Sequence, residues 1–343
     1  MIDFKVIIFG LSLIGAQFCF GKVDYVELRQ GRVVSFEYEF FDSARPTLVL
    51  LPGVYRGMES DDQALEIVKQ KKINFVSLHF SSHPQSVIRA IEMGKSPQFD
   101  GMSLETLKDE VVSVIKFLNV HNPLVVSLSF SGAVSTLFSK DEFPLVVDVV
   151  PLGRQDDNSS FLQSYYDGLQ ALNSWNSFML SWLENLKAQA YLTYWTKQVA
   201  GLRVKYPELS DAATFSSVVR GMVAMSQTVE KFELENSDFR RGPERIFFLA
   251  GNEESKRLKR QKKAVEAYES QTGRGAEVKI FENAGHVLPA DAPEEYVAAL
   301  ENSLQKLMEM QKLLPQSREL VSLPRENFTA KTVLKCKNLL SLK

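Results

Sequence analysis

The stretch LVVSLSFSGAVS, Leu124–Ser135, places four serines around one aromatic residue and one glycine. An apolar run precedes the serines and small residues follow them, which is the pattern of a buried strand that turns tightly into a helix. A nucleophile in a parallel sheet works best at the end of such a strand, and the turn needs small residues two positions before and after it. The frame centred on Ser129 meets this requirement, with Ser127 and Ser131 in the small positions.

The two flanking serines depart from the usual G-x-S-x-G form of this turn. Serine carries a Cβ that glycine lacks, so we expect the turn to be more strained or wider. A frame centred on Ser127 would place Val125 two residues upstream, and one centred on Ser131 would put the nucleophile farther into the helix. Because a serine at a strand end is more often a turn or cap residue, the assignment of Ser129 needs partners elsewhere in the chain.

Two loops that follow predicted strands supply candidate partners. ENAGHVLPADAPEEY, residues 282–296, carries His286 beside a glycine and ahead of a proline-punctuated helix start. FFLAGNEES, residues 247–255, carries two adjacent carboxylates. An acid that orients an imidazole should lie on a neighbouring strand end, so we assign this role to Glu254, with Glu253 as the alternative acid. Whichever glutamate is left over is interpreted as part of a solvated acidic turn.

The hydrophobic pattern predicts an α/β architecture with a mostly parallel central sheet and helices on both faces. Two strands joined at Gln30-Gly31 come first, and four apolar runs follow at 47–53, 73–80, 123–130 and 143–153. A helix over 103–120, with Ser103 as its N-cap, has apolar residues at helical spacing. Strand patterns return at 244–251 and 276–285, before a long amphipathic helix.

The strand–helix alternation stops after the sixth predicted strand. Residues 155–241 are helical in pattern and rich in aromatic side chains, which predicts a helical cap inserted between two halves of the sheet, 22–154 and 242–314. Residues 315–343 form a basic tail to which the pattern assigns no role.

Residues 1–21 contain Lys5 followed by an apolar run that is short for a membrane span, as in a secretory signal peptide. Cleavage after Gly21 would export the protein to the periplasm or the medium. An uncleaved segment, which would associate the protein with a membrane, is the alternative. Of the two cysteines, Cys19 and Cys336, cleavage would leave one and no internal disulfide.

Composition limits the partners of the chain. The 343 residues are 45% hydrophobic and carry 40 basic against 42 acidic side chains, for a net charge of −2. This near-neutral balance gives no overall field that would attract nucleic acid, and it favours a small neutral substrate. His79 and His83 stand four residues apart, but Pro84 and the strand pattern argue against the helix that would bring them together as metal ligands. We expect no metal and no cofactor.

From Val23 to Leu314 the sequence resembles the α/β-hydrolases. The order Ser129, Glu254, His286 is the order of the catalytic triad in that family. TLVLLPGVYRG, residues 47–57, resembles the family's oxyanion loop, with Pro52-Gly53 where His-Gly is usual, and FVSLHFSSHPQS, residues 75–86, lacks the family's glycines. The histidine loop and the helix after it give the most specific match.

The resemblance implies a serine hydrolase that cleaves carboxylic esters through an acyl-enzyme. Ser129 would be the nucleophile, His286 the base and Glu254 the orienting acid, with the backbone N–H groups of Val54 and Phe130 as the oxyanion hole. Aromatic residues in 161–196 would roof the pocket or simply pack the cap. An aminopeptidase or amidase on the same fold, and a catalytically inactive binding protein, are the alternatives.

Overall fold

The computed structural model describes residues 22–28, 31–42, 44–53, 62–121, 123–152, 206–230, 232, 234, 239–252 and 255–313. The predicted leader, the tail and most of the predicted cap lie outside these residues, as do Val54, Glu253 and Glu254. The domain boundaries given above stay predictions. In the part of the chain that is described, no helix is both long enough and apolar enough to cross a membrane.

The strands of the described residues form one sheet of eight, in the order β1-β2-β4-β3-β5-β6-β7-β8. Their bounds are β1 Lys22–Glu27, β2 Val33–Glu39, β3 Leu48–Leu51, β4 Phe75–His79, β5 Leu124–Leu128, β6 Leu145–Val149, β7 Glu244–Ala250 and β8 Glu277–Phe281. The pairs β1–β2 and β2–β4 are antiparallel, and all the other pairs are parallel. The predicted mostly parallel sheet is confirmed.

Helices connect the strands, as a parallel sheet requires. Their bounds are α1 Asp62–Gln70, α2 Pro84–Glu92, α3 Leu104–Phe117, α4 Phe130–Ser135, α5 Ala212–Glu230, α6 Lys256–Thr272, α7 Leu288–Asp291 and α8 Pro293–Leu313. Short 3₁₀ turns cover Pro207–Ser210 and Phe239–Arg241. The chain leaves the sheet after β6 and returns at β7, and α5 lies in the segment between them.

The sheet is covered on both faces because its central strands are apolar on both sides. In β5, Leu124, Val126 and Leu128 belong to a core that also contains side chains of α1 and α8. Val125, between them, packs in a second core with side chains of α3 and α4. The alternation of side chains along a strand produces the two layers, so each central strand buries both of its faces.

The local sequence of helix α3 explains where the helix begins and which of its faces is buried. The side chain of Ser103 accepts a hydrogen bond from the backbone N–H of Thr106 over 3.2 Å, which confirms the predicted N-cap. The buried face carries Leu107, Val111 and Val114. This face packs the helix against the sheet by removing apolar surface from water.

Strand β8 is the last strand of the sheet and its outer surface is charged. Glu277, Val278 and Lys279 are exposed. Glu277 pairs with Lys306 at 2.8 Å and Lys279 pairs with Glu295 at 2.7 Å. Both partners belong to α8, so the two ion pairs connect the edge of the sheet to that helix.

Candidate active site

Ser129 lies on the sharp turn between β5 and α4. Its backbone has φ 52° and ψ −106°, a conformation with positive φ that L-residues rarely adopt. The N–H of Ser129 donates to the carbonyl of Val149 on β6 over 2.8 Å, and this bond helps to hold the turn in place. The positive φ belongs to Ser129, whereas Ser127 lies within β5 and Ser131 lies within α4. The added strain or width expected from the two flanking serines stays a prediction.

The loop after β8 brings His286 to Ser129. The Nε2 atom of His286 lies 3.1 Å from the Oγ atom of Ser129, although 157 residues separate the two in sequence. This distance is within the hydrogen-bonding reach that a general base needs. The carboxylate of Asp291 accepts a hydrogen bond from the N–H of Gly285 over 2.9 Å and so fixes the residue that precedes His286.

The candidate acids, Glu254 and Glu253, lie outside the described residues. The structure describes the strand before them: β7 ends at Ala250, whose register partner on β8 is Phe281. The two glutamates therefore follow the strand that adjoins the one leading into the histidine loop, as expected for a triad acid. Their assignment stays a prediction.

The two serines that replace glycine in the turn both use their hydroxyls in buried hydrogen bonds. Ser127 donates to Oδ1 of Asp148 over 2.5 Å. The hydroxyl of Ser131 lies 3.2 Å from the carbonyl oxygen of Leu51 and 3.1 Å from that of Leu128. Each hydroxyl thus ties the turn to a neighbouring part of the sheet.

Asp148 and Arg245 form a buried ion pair beneath the turn, and sequence reasoning did not identify it. Oδ2 of Asp148 accepts a hydrogen bond from the guanidinium of Arg245, and Oδ1 accepts one from Ser135 over 3.0 Å. Arg245 also donates to the carbonyl of Ser135 over 2.7 Å and lies over the ring of Phe239. The sequence does contain a signal for this ion pair: a charged residue stands inside an apolar strand run, and a charge that is buried there needs a buried partner.

The two histidines considered as metal ligands occupy different elements. His79 is the last residue of β4, and His83 is the N-cap of α2, which begins at Pro84. Nε2 of His83 lies 2.9 Å from the carbonyl oxygen of Gly53. Among the described residues, no group of three or more histidine, cysteine, aspartate or glutamate side chains is arranged to hold a metal ion.

Glu110 is a fully buried carboxyl on α3. Its two oxygens accept hydrogen bonds from the N–H and the hydroxyl of Ser81, at 2.9 Å and 2.5 Å. Burial raises the pKa of Glu110 to about 7, against the opposing effect of these hydrogen bonds and of nearby Arg32. Glu110 thus fastens the loop between β4 and α2 to helix α3.

Of the two predicted oxyanion donors, Phe130 and Val54, the structure describes only Phe130. Phe130 is the first residue of α4, where a backbone N–H has no acceptor within its own helix. Val54 lies outside the described residues and directly follows Gly53, which is two residues beyond the end of β3. Since β3 and β5 are parallel neighbours, Gly53 and Phe130 both follow strand ends at the same edge of the sheet.

Neither protein-family models nor curated protein sequences give a significant match, but solved structures match the fold. The esterase from Exiguobacterium antarcticum is 10% identical with a TM-score of 0.59, covering 83% of this chain and 100% of that chain. An enol-lactonase from Burkholderia xenovorans is 12% identical with a TM-score of 0.56, covering 82% and 99%. An alpha/beta hydrolase from a deep-sea metagenome library is 15% identical with a TM-score of 0.56, covering 84% and 98%.

The chain has the α/β-hydrolase fold. At 10 to 15% identity these structures establish the fold alone. In an α/β-hydrolase, a nucleophile sits on the turn that follows a central strand, and its histidine partner comes late in the chain. Ser129 and His286 occupy those two places here. The resemblance stated from the sequence is therefore confirmed for the fold.

Proposed function

We propose that this α/β-hydrolase cleaves carboxylic esters of a small or apolar substrate through an acyl-enzyme. The observation that carries the proposal is the 3.1 Å separation of Ser129 Oγ and His286 Nε2 at a strained strand-to-helix turn. Strain at a buried turn persists only when the surrounding structure enforces it, and it is concentrated at functional sites.

In the first half-reaction, Ser129 Oγ attacks the carbonyl carbon of the ester while its proton moves to His286 Nε2. The tetrahedral intermediate then expels the alcohol, which takes the proton from His286. In the second half-reaction, water attacks the acyl carbon and gives its proton to His286. The carboxylic acid leaves, and Ser129 recovers its proton. Glu254 holds the imidazole in orientation throughout this proposed sequence.

The negative charge on the carbonyl oxygen needs donors that are already in place. We assign this role to the backbone N–H groups of Phe130 and Val54, which follow the ends of adjacent strands. Removal of one such donor typically lowers kcat by about 10²–10³.

Two of the solved structures with this fold, and the net charge of the chain, support an ester as the substrate. An esterase and an enol-lactonase are among the proteins with this fold. A net charge of −2 on 343 residues gives no strong field to select a charged substrate. We propose that aromatic residues in 161–196 contact the apolar part of the substrate.

A fluorophosphonate probe and a set of p-nitrophenyl esters test the proposal. The probe should label Ser129 in the folded wild type, and Ser129→Ala should abolish the label. Ser129→Ala and His286→Gln should each lower kcat by about 10⁴ or more. A folded wild type that neither takes the label nor hydrolyses any ester would support the inactive binding protein instead.

Two further comparisons identify the triad acid and distinguish an esterase from an amidase. Glu254→Gln should lower kcat by about 10²–10⁴ while Glu253→Gln stays near wild type, and the reverse result would make Glu253 the acid. Aminoacyl p-nitroanilides should be poor substrates relative to the esters. Faster cleavage of the anilides would assign the chain to the amidase or aminopeptidase class.

A further inference from the structure

A buried histidine contacts the backbone at the end of the β3 segment. His83 belongs to the turn Phe80–His83, which we call the His83 loop. Its Nε2 atom lies 2.9 Å from the carbonyl oxygen of Gly53. Because a carbonyl oxygen only accepts hydrogen bonds, Nε2 must carry the proton and donate it.

The environment of the ring keeps it neutral. His83 is 1% exposed, and burial lowers the pKa of its imidazole to about 4. The Nδ1 atom is buried and makes no hydrogen bond within the described residues. The backbone of Gly53 and of Phe80 favours a charged ring, but burial has the larger effect on the pKa. The neutral tautomer with hydrogen on Nε2 is the one that this site accommodates.

The His83 loop is held firmly from several sides. Glu110 accepts hydrogen bonds from both the N–H and the hydroxyl of Ser81. Helix α5 approaches so closely at Gly221 that an added Cβ would stand 2.5 Å from the carbonyl oxygen of Ser82. The ring of His83 stacks on Phe80, with centroids 5.6 Å apart. Phe80 in turn meets the edge of Phe130, the residue after Ser129.

We infer that His83 is a positioning residue, which fixes the carbonyl group of Gly53 by donating to it from Nε2. This inference rests on the proposed function, which assigns to the oxyanion hole the backbone N–H that directly follows this carbonyl group in the chain. In a planar trans peptide the C=O and N–H groups point in opposite directions, so a bond that fixes one fixes the other. The bond also polarises the peptide and strengthens its N–H as a donor.

Packing alone does not account for a histidine at this position. An imidazole costs free energy to bury unless it is hydrogen-bonded, whereas a phenylalanine would fill similar space and still stack on Phe80. What His83 adds to the site is the hydrogen bond to Gly53. The pair His83→Phe and His83→Gln separates the two contributions, because glutamine can place an N–H group near the position of Nε2 and phenylalanine cannot.

The experiment compares wild type, His83→Phe and His83→Gln on a p-nitrophenyl ester, at a temperature where all three are folded. We expect His83→Phe to lower kcat by about 10- to 100-fold, less than loss of a whole oxyanion donor, with KM changed by less than about twofold. His83→Gln should recover kcat to within about threefold of wild type. A folded His83→Phe with wild-type kcat would overturn the inference, and so would an equal loss in both variants.

A second measurement needs neither activity nor the phenylalanine variant. In ¹⁵N-histidine-labelled wild type, the ring signals missing from the His83→Gln spectrum belong to His83. We expect a neutral ring protonated on Nε2 at pH 6, and a charged ring or one protonated on Nδ1 would overturn the inference. If wild type shows no ester turnover and no label on Ser129, the proposed function fails, and this spectrum still decides whether Nε2 of His83 carries the proton that a bond to Gly53 requires.

Discussion

Ser127 on β5 and Asp148 on β6 are partners in the register of the sheet, and the Ser127 hydroxyl donates to Oδ1 of Asp148 over 2.5 Å. The serine thus connects the turn that carries Ser129 to a buried ion pair. The other oxygen of Asp148 bonds Arg245, which is 3% exposed. Glycine at position 127 would leave this carboxylate with one donor fewer.

The first prediction concerns that ion pair. Asp148→Asn should lower the free energy of unfolding by about 3–5 kcal/mol, because it leaves the guanidinium of Arg245 buried without a counter-charge. Urea denaturation followed by circular dichroism measures the change. Ser127→Ala is the matched control: it removes one donor and keeps the charge pair, so a loss of about 1.5–3 kcal/mol is expected. A loss under about 1 kcal/mol in Asp148→Asn would contradict the prediction.

The second prediction concerns strain at Ser129. Ser129→Gly should raise the free energy of unfolding by about 1 kcal/mol, because glycine adopts a φ of 52° without the steric cost that a Cβ imposes. Ser129→Ala removes the same hydroxyl and keeps the Cβ, so it should show no such gain. Thermal denaturation of the two variants side by side measures the difference, and equal stability would argue against strain at this turn.

The third prediction concerns the pH dependence that Glu110 contributes. The pKa of Glu110 is raised to about 7 in the folded protein from an ordinary value of 4.5, so the native state holds a proton that the unfolded chain releases. This contribution to stability is complete below pH 4.5 and is lost as the pH rises through about 7.

Glu110→Gln cannot titrate, and its amide can still accept from the Ser81 N–H and donate to the Ser81 hydroxyl. Relative to wild type, the variant should gain stability as the pH rises across that window, by an amount on the order of 3 kcal/mol. Urea denaturation at pH 4.5, 6 and 8 follows the difference between the two proteins. A difference that stays constant with pH would mean that Glu110 titrates normally.

The fourth prediction concerns the contact between α5 and the His83 loop. Gly221→Ala should lower the free energy of unfolding by about 1–3 kcal/mol, because the new Cβ would stand 2.5 Å from the backbone oxygen of Ser82. Alanine favours a helix over glycine by up to about 1 kcal/mol, so a purely local effect would have the opposite sign. Arg220→Ala, at the exposed neighbouring position, should stay within about 0.5 kcal/mol of wild type.

Sequence patterns were sufficient to predict the strands of the parallel sheet and the two residues, Ser129 and His286, that meet at its edge. Apolar runs of strand length reveal β3 to β7, which are buried on both faces. Strand β8 was predicted from its strand pattern, although its first three residues are exposed. Ser129 and His286 could be named because each follows a predicted strand at a residue type with reactive chemistry. Parallel strands bring their carboxyl ends to one edge, so the meeting of these two side chains follows from the order of the elements.

Other interactions could not be predicted because they depend on pairings across the fold. Asp148 and Arg245 each stand in a strand pattern, but which charge faces which is set by the register of β6 and β7. Glu110 falls on the apolar face of α3, and only the approach of the β4–α2 loop supplies its donors from Ser81. His83 finds its acceptor 30 residues away, at a backbone atom that side-chain patterns do not represent.

The charged outer surface of β8 has a consequence for association between chains. An edge strand offers unpaired N–H and C=O groups that another strand could join, and such pairing leads to aggregates. Charged side chains on an edge strand disfavour such pairing, and β8 carries Glu277 and Lys279, which pair with Lys306 and Glu295 of α8. These charged side chains therefore disfavour the addition of a strand from another chain along β8. Strand β8 leads directly into the loop of His286.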